Sequence, residues 1–235
     1  MALIRCPECG GQISDKAEKC PHCGLPASYF FSLGKNEPRP NEIGPDVKNL
    51  QNVLISFERD HTRLFSAEHY ISHRDTQKLR DTYGKYEESL KNKLIFRYVC
   101  DHAAEIRIDT DLLRRFLRRM ETLDADITTH NSAYVERILK RDKAYFDGIL
   151  KQIDPNIQLD EEQRRAVITD DDYCLLVAGA GAGKTTTMAA KVKYLVEKKN
   201  IDPGEIIVIS YTNKAIGELR DRINKGLGIP AKICT

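Results

Sequence analysis

Ala178-Gly-Ala-Gly-Ala-Gly-Lys-Thr185 is the stretch on which the reading of this chain turns, because it follows the short apolar run Tyr173 to Val177 and opens a segment of helical character. A buried strand feeding a glycine-rich turn leaves successive backbone N–H groups pointing inward, where they cradle a phosphate at a helix N-terminus whose dipole favours anions. The spacing therefore reads as a phosphate-binding loop. On this reading Ala178, Gly179, Ala180, Gly181, Ala182 and Gly183 wrap the phosphates, Lys184 reaches the β- and γ-phosphates, and Thr185, followed by Thr186, ligates Mg2+. The general pattern asks for glycine at the first position, where this chain has Ala178. A strand-to-helix turn that binds nothing is the competing reading, and the conjunction of strand, lysine, threonine and helix argues against it.

Outward from the loop, residues 154 to 235 alternate in a regular way. A lead-in turn and helix come first, then a strand at 173–178, the loop, and a helix to about Lys199. A turn at Asp202-Pro203-Gly204, a strand at 205–211 and a helix from Lys214 to about Lys225 follow. This order predicts an α/β fold, an incomplete parallel sheet with helical crossovers of the P-loop NTPase kind. Cys174 falls in the predicted central strand and is expected to be buried and inert.

Residues 1–24 carry four of the seven cysteines, as Cys6-x-x-Cys9 and Cys20-x-x-Cys23. Each pair can present two thiolates from one tight turn, with Gly10 and Gly24 placed where a left-handed backbone is needed. The spacing predicts a tetrahedral zinc site, a small zinc ribbon whose metal supplies the folding free energy that so short a segment cannot obtain by burial. His22 is left out of the ligand set. Two disulfides are the alternative, disfavoured in a cytosolic chain. Residues 25–45, with Pro26, Pro38, Pro40, Gly44 and Pro45, read as a linker.

From 46 to 153 the pattern is helical and charged. Leu112, Leu113, Phe116, Leu117, Met120 and Leu123 form one apolar stripe of a helix starting near Thr110, with Arg114, Arg115, Arg118 and Arg119 off it. A second helix is predicted over about Ser132 to Ile153. The basic faces can track a nucleic-acid backbone or be solvated beside acidic neighbours, and the second reading is preferred. His61, His69 and His73 lack a companion cysteine or carboxylate cluster and are not read as ligands. Across the whole 235 residues, 41% hydrophobic and 31% charged composition describes a globular chain, and a net charge of +2 does not by itself imply a nucleic-acid partner. No apolar run approaches a membrane span and Met1 to Cys6 carries no signal-peptide core, so a cytoplasmic protein with no membrane partner is expected.

The residues flanking the loop sharpen the reading. Gly183-Lys-Thr-Thr-Thr187 after upstream helices resembles the GTPases of the signal recognition particle, but the flanks point elsewhere. Leu159-Asp-Glu-Glu-Gln163-Arg-Arg-Ala-Val-Ile168 before the loop and Val208-Ile-Ser-Tyr-Thr-Asn-Lys-Ala-Ile-Gly-Glu-Leu-Arg-Asp-Arg-Ile223 after it resemble the Q motif and motif Ia of UvrD/Rep-like superfamily 1 DNA helicases, with motif I between them. The resemblance covers about 155–235. His130-Asn-Ser-Ala-Tyr-Val135 to Tyr145-Phe-Asp147 resembles more weakly the helical N-terminal extension of helicase IV-like members.

The resemblance implies a RecA-like sheet over 154–235 and a set of roles. Gln163 would read the adenine edge of ATP, and Lys184 and Thr185 would take phosphate and Mg2+. Tyr211, where the family usually has Phe, would stack on a base of single-stranded DNA, while Thr212, Asn213 and Lys214 would hold its phosphates. Without the resemblance, Tyr211 reads as a core aromatic, and Glu218, Arg220 and Arg222 read as a solvated helix face. The family hydrolyses ATP with a Walker B acid pair and arginines from a second motor domain. No apolar strand here ends in Asp-Glu, so the chain is expected to be an N-terminal portion that binds ATP and single-stranded DNA weakly and turns over ATP only if completed by the remainder of the helicase. A non-catalytic zinc-ribbon and helical adaptor for nucleic acid or protein, with an idle P-loop, stays open as the alternative.

Overall fold

In the computed structural model, the described residues are 3–6, 9–14, 17–24, 49–66, 68–179 and 181–234; the predicted linker 25–45 and Ala180 lie outside them. The chain divides into two compact units, one of Met1–Asp60 and Asp81–Glu121, the other of His61–Arg80 and Thr122–Thr235. Among the described helices, none is long and apolar enough to cross a membrane.

The first unit begins with two short strands, β1 (Leu3–Arg5) and β2 (Gln12–Ser14), paired antiparallel with Ile4 opposite Ile13. Its helical part takes residues from α1 (Leu50–Ser66), α2 (His73–Lys91), α3 (Lys93–Asp101) and α4 (Thr110–Arg141). Phe57 is fully buried and meets the edges of Tyr83 and Phe116, with ring centroids 5.2 and 4.7 Å away. The predicted stripe is the core face of α4, since Leu112, Leu113, Phe116 and Met120 are buried. The helix starts at Thr110 because the Asp109 carboxylate accepts from the N–H groups of Asp111 and Leu112. The Leu112 N–H holds the Asp109 carboxyl below its usual range. Arg115 and Arg119 both pair with Glu58, at 3.3 and 2.5 Å, and Arg114 pairs with Asp111, so these arginines are engaged with acidic neighbours.

In the second unit, α4 continues without interruption to Arg141, where the sequence predicted a new helix near Ser132. The apolar stripe does fade over 124–131, but other bonds hold the backbone there. Thr128 and Thr129 hydroxyls donate to the carbonyls of Asp124 and Ala125, and the Asn131 amide exchanges two bonds, 2.8 and 2.9 Å, with the backbone of Ile71. The helix ends at Asp142, and α5 (Lys143–Gly148) is a separate short piece. His61 stacks on Phe65, and the His130 ring bonds the His69 carbonyl.

Beyond them lie α6 (Glu161–Ile168), α7 (Lys184–Lys199), β3 (Ile207–Ile209), α8 (Asn213–Arg220), a π-helical turn at Asp221–Gly226 and β4 (Lys232–Cys234). β3 and β4 pair in parallel, Val208 opposite Ile233, with α8 and its π-helical turn as the crossover. Val208 and Ile233 face the core while Ile207 and Ile209 face outward, as strand alternation requires. That core collects Tyr134, Phe146, Val167, Ile168, Ala189, Ala190, Tyr194, Ile216 and Ile223.

The predicted strand at 173–178 is not formed. Residues 174–179 pair with none of the described strands, and Tyr173, Leu175 and Val177 are 84, 88 and 85% exposed. A strand exists only through ladder bonds to neighbours, and the sheet here is β3 with β4. Cys174 is accordingly exposed, against the expectation that it is buried. The contrast is measurable by urea unfolding: Leu175→Ala should change stability by less than about 0.5 kcal/mol, as for an exposed position, while Ile223→Ala should cost about 2–5 kcal/mol through loss of core packing.

Candidate nucleotide-binding site

The loop after Val177 turns through two left-handed glycines, Gly181 at φ +79° and Gly183 at φ +76°. Gly183 is the N-cap of α7 and offers no side chain to the first N–H groups of that helix, which leaves them for an anion. Thr187, buried, donates through both its backbone N–H (2.8 Å) and its hydroxyl (3.1 Å) to the Gly183 carbonyl, locking the first turn. The Lys184 ammonium folds back onto the loop and donates to the carbonyls of Ala178 at 2.9 Å and Gly179 at 2.6 Å. Thr185 and Thr186 are half-buried on the first turn.

Gln163 is brought to this loop by α6. Asp160 caps that helix in a capping box: its carboxylate accepts from Gln163 N–H at 2.8 Å, and the Gln163 side-chain oxygen accepts from Asp160 N–H at 3.1 Å. The other end of the Gln163 amide donates to the Ala182 carbonyl at 3.2 Å. At the far end of α6, the Lys191 ammonium of α7 donates to the carbonyls of Val167 (2.9 Å) and Thr169 (2.5 Å). Burial pushes the Lys191 pKa down. Sequence reasoning passed over Lys191, a lysine among several on α7; nothing in the pattern distinguishes the one that turns inward.

The stretch that resembles motif Ia follows the carboxyl end of β3. Ser210 N–H donates to the Cys234 carbonyl, prolonging the pairing by one bond, and the chain then leaves the sheet. Tyr211 is fully exposed, at 103%, so it is not a core aromatic. Thr212 caps α8, its hydroxyl accepting from Ala215 N–H, and Asn213 and Lys214 are exposed on the first turn. Arg220 and Arg222 are not a merely solvated face: Arg220 donates to the Ile233 carbonyl and Arg222 to the Thr186 hydroxyl at 3.1 Å. The second bond joins the turn beneath α8 directly to the first turn of α7. A separate cavity of about 510 Å3 in the same unit is lined by Tyr70, His73, Asn131, Arg165 and Asp171 among others, none of them a predicted site residue.

The four predicted zinc cysteines converge. Their Sγ atoms all lie within 4.8 Å of one another, Cys6 to Cys23 at 3.5 Å and Cys9 to Cys20 at 3.6 Å, and none of the four is in a disulfide. Gly10 and Gly24 adopt φ +72° and +75°, donating back to the carbonyls of Cys6 and Cys20, as the two-knuckle reading requires. His22 contributes its backbone N–H to the Cys20 sulfur at 3.4 Å.

The glycine-rich loop feeds a helix whose first N–H groups are uncapped, with the parallel β3–α8–β4 unit beside it. Residues 159–235 match the family described as UvrD/REP helicase N-terminal domain. The chain is similar to a probable DNA helicase II homolog of Mycoplasma capricolum, 43% identical over 65 residues, which are 28% of this chain and 9% of the relative. It is 40% identical over 70 residues to ATP-dependent DNA helicase UvrD1 of Mycobacterium leprae, 30% of this chain and 9% of the relative. Over 75 residues it is 36% identical to ATP-dependent DNA helicase PcrA of Staphylococcus aureus, 32% of this chain and 10% of the relative. The chain thus matches about a tenth of the length of these curated relatives. The match to the UvrD/REP helicase N-terminal domain and to these relatives is confined to the last third of the chain.

Two glycines of the loop should separate cleanly on substitution. At Gly183 a Cβ would carry the left-handed φ and lie 2.7 Å from Gln163 Nε2, so Gly183→Ala should cost about 1–2 kcal/mol in urea unfolding. At Gly179 nothing lies within 4 Å of a Cβ, and Gly179→Ala should be neutral or stabilise by less than about 1 kcal/mol.

Proposed function

We propose that residues 159–235 bind ATP with Mg2+ at the phosphate loop and single-stranded DNA at motif Ia, as part of an ATP-dependent DNA helicase. The observation that carries this reading is the placement of both surfaces in one unit, joined by the Arg222 to Thr186 bond, with the Tyr211 ring fully exposed beside the α8 N-terminus. Lys184 exchanges the carbonyls of Ala178 and Gly179 for phosphate oxygens, the open N–H groups at the start of α7 take the same anion, and Thr185 supplies the hydroxyl for Mg2+. Gln163 reads the adenine edge with the donor and acceptor that its amide still has to spare. Tyr211 stacks on a base, and Thr212, Asn213 and Lys214 hold phosphates. Transition-state stabilisation in phosphoryl transfer needs further carboxylates and arginines around the γ-phosphate, so binding is the property assigned to these residues.

The four cysteines fit zinc. A tetrahedral S4 site with Zn–S near 2.3 Å has sulfurs about 3.8 Å apart, and the Cys6–Cys23 and Cys9–Cys20 separations of 3.5 and 3.6 Å lie close to that. Zinc held by Cys6, Cys9, Cys20 and Cys23 ties the two knuckles together and supplies folding free energy to a segment with few buried side chains. A thiolate cage of this kind suits the reducing cytoplasm, where we place the protein. A second reading, a zinc-ribbon and helical adaptor with an idle P-loop, draws support from the unpaired approach segment 174–179.

The deciding experiment titrates a fluorescent ATP analogue with Mg2+ into the purified chain and into Lys184→Ala. The helicase reading expects saturable binding that the substitution abolishes; no binding by the unsubstituted chain favours the adaptor. Competition by GTP as strong as by ATP would count against Gln163 as an adenine reader. On DNA, Tyr211→Ala should weaken oligothymidine binding by about 1–3 kcal/mol. Zinc is tested by metal analysis: one equivalent per chain is expected, lost on Cys6→Ser together with Cys20→Ser.

A further inference from the structure

We propose that Gln163 is a positioning residue for the phosphate loop itself, holding it from the base side before any nucleotide arrives; this deepens the nucleotide site proposed above and rests on that reading. The orientation of its amide is fixed by its two partners. Asp160 N–H can only donate and the Ala182 carbonyl can only accept, so the oxygen faces the cap of α6 and the NH2 faces the loop. One N–H and one lone pair remain for a base edge.

The helix presenting the amide is pinned at both ends. The capping box fixes its start, and Lys191 bonds the Val167 and Thr169 carbonyls at its close. Within the loop the other bonds are local: Lys184 to the carbonyls of Ala178 and Gly179, and a long Ala182 N–H to Gly179 contact at 3.4 Å. Among the described residues, the bond from Gln163 is the one that enters the loop from another helix. It lands on Ala182, directly before Gly183, whose missing Cβ is what lets the amide nitrogen approach so closely. Loosening it frees the backbone whose N–H groups cradle phosphate, so the loss is felt by any polyphosphate, with or without a base.

Two substitutions separate this role from base reading. Gln163→Glu keeps an oxygen for Asp160 N–H, preserving the helix cap, and places a second oxygen against the Ala182 carbonyl, removing the loop bond. Gln163→Met removes the amide at similar volume without adding charge. Amide hydrogen exchange on the ligand-free full chain should quicken by roughly three- to tenfold at Ala182 and Thr187, whose N–H groups bond the Gly179 and Gly183 carbonyls, in both variants, the size of one neutral hydrogen bond, while exchange within α6 stays unchanged in Gln163→Glu. By calorimetry, Gln163→Met should weaken Mg2+–tripolyphosphate, which has no base, by a similar factor, and ATP by at least as much. Unchanged loop exchange in Gln163→Glu overturns the proposal, as does unchanged tripolyphosphate affinity in Gln163→Met with weakened ATP. Failure of the unsubstituted chain to bind either ligand sinks the nucleotide reading instead, and the exchange result then decides the positioning role alone.

Discussion

The Lys191 ammonium, donating to the last carbonyls of α6 from the side of α7, is the interaction on which the arrangement of the site depends. It supplies acceptors' partners that the end of a helix otherwise lacks, and it does so with a charge, which suits the negative end of the helix dipole. With α6 held there and capped by Asp160 at its start, Gln163 has one place to be. The rest of α7 is equally constrained: Ala189, Ala190, Val192 and Tyr194 are buried, and Tyr194 stacks on Phe146 with ring centroids 5.8 Å apart. The glycine-rich loop thus hangs from a helix that cannot shift without disturbing the core, which is how such a turn keeps a defined curvature.

A second line of constraint runs through the arginines of the last crossover. Arg220 bonds the Ile233 carbonyl of β4, and Arg222 bonds Thr186 at the start of α7. Two side chains of opposite reach therefore tie the crossover to the sheet on one side and to the first turn of α7 on the other. A displacement of the Thr186 hydroxyl by a ligand at the neighbouring Thr185 would be felt at the turn that follows α8, and α8 begins at the exposed Tyr211 edge.

Much of this was legible in the residues. The C-x-x-C pairs announced four convergent sulfurs, the glycines after them announced left-handed turns, and the pattern over 205–225 announced the strand β3 and the helix after it, because each depends on local chemistry or short spacing. Asp-x-x-Gln at 160–163 carries a reciprocal helix cap that needs only those four residues. What stayed hidden depends on partners far along the chain. Tyr173 to Val177 has every local mark of a buried strand, yet ladder bonds and cover come from elsewhere, and the segment stands outside any described strand and exposed. The continuity of α4 through 124–131 was missed because Asn131 and two threonines, not apolar spacing, hold it. Arg222 and Lys191 looked like their solvated neighbours; only the fold selects which cation turns inward.

The uncovered run Tyr173-Cys-Leu-Leu-Val177 has a further consequence for how the chain behaves in company. A β-prone segment that pairs with none of the described strands and exposes its apolar side chains is a template for any second strand, including the same segment of another copy. Colloidal stability should therefore fall with concentration well before the folded core is threatened, and the exposed Cys174 in the middle of the run gives two such segments a thiol each to crosslink once the surroundings turn oxidising.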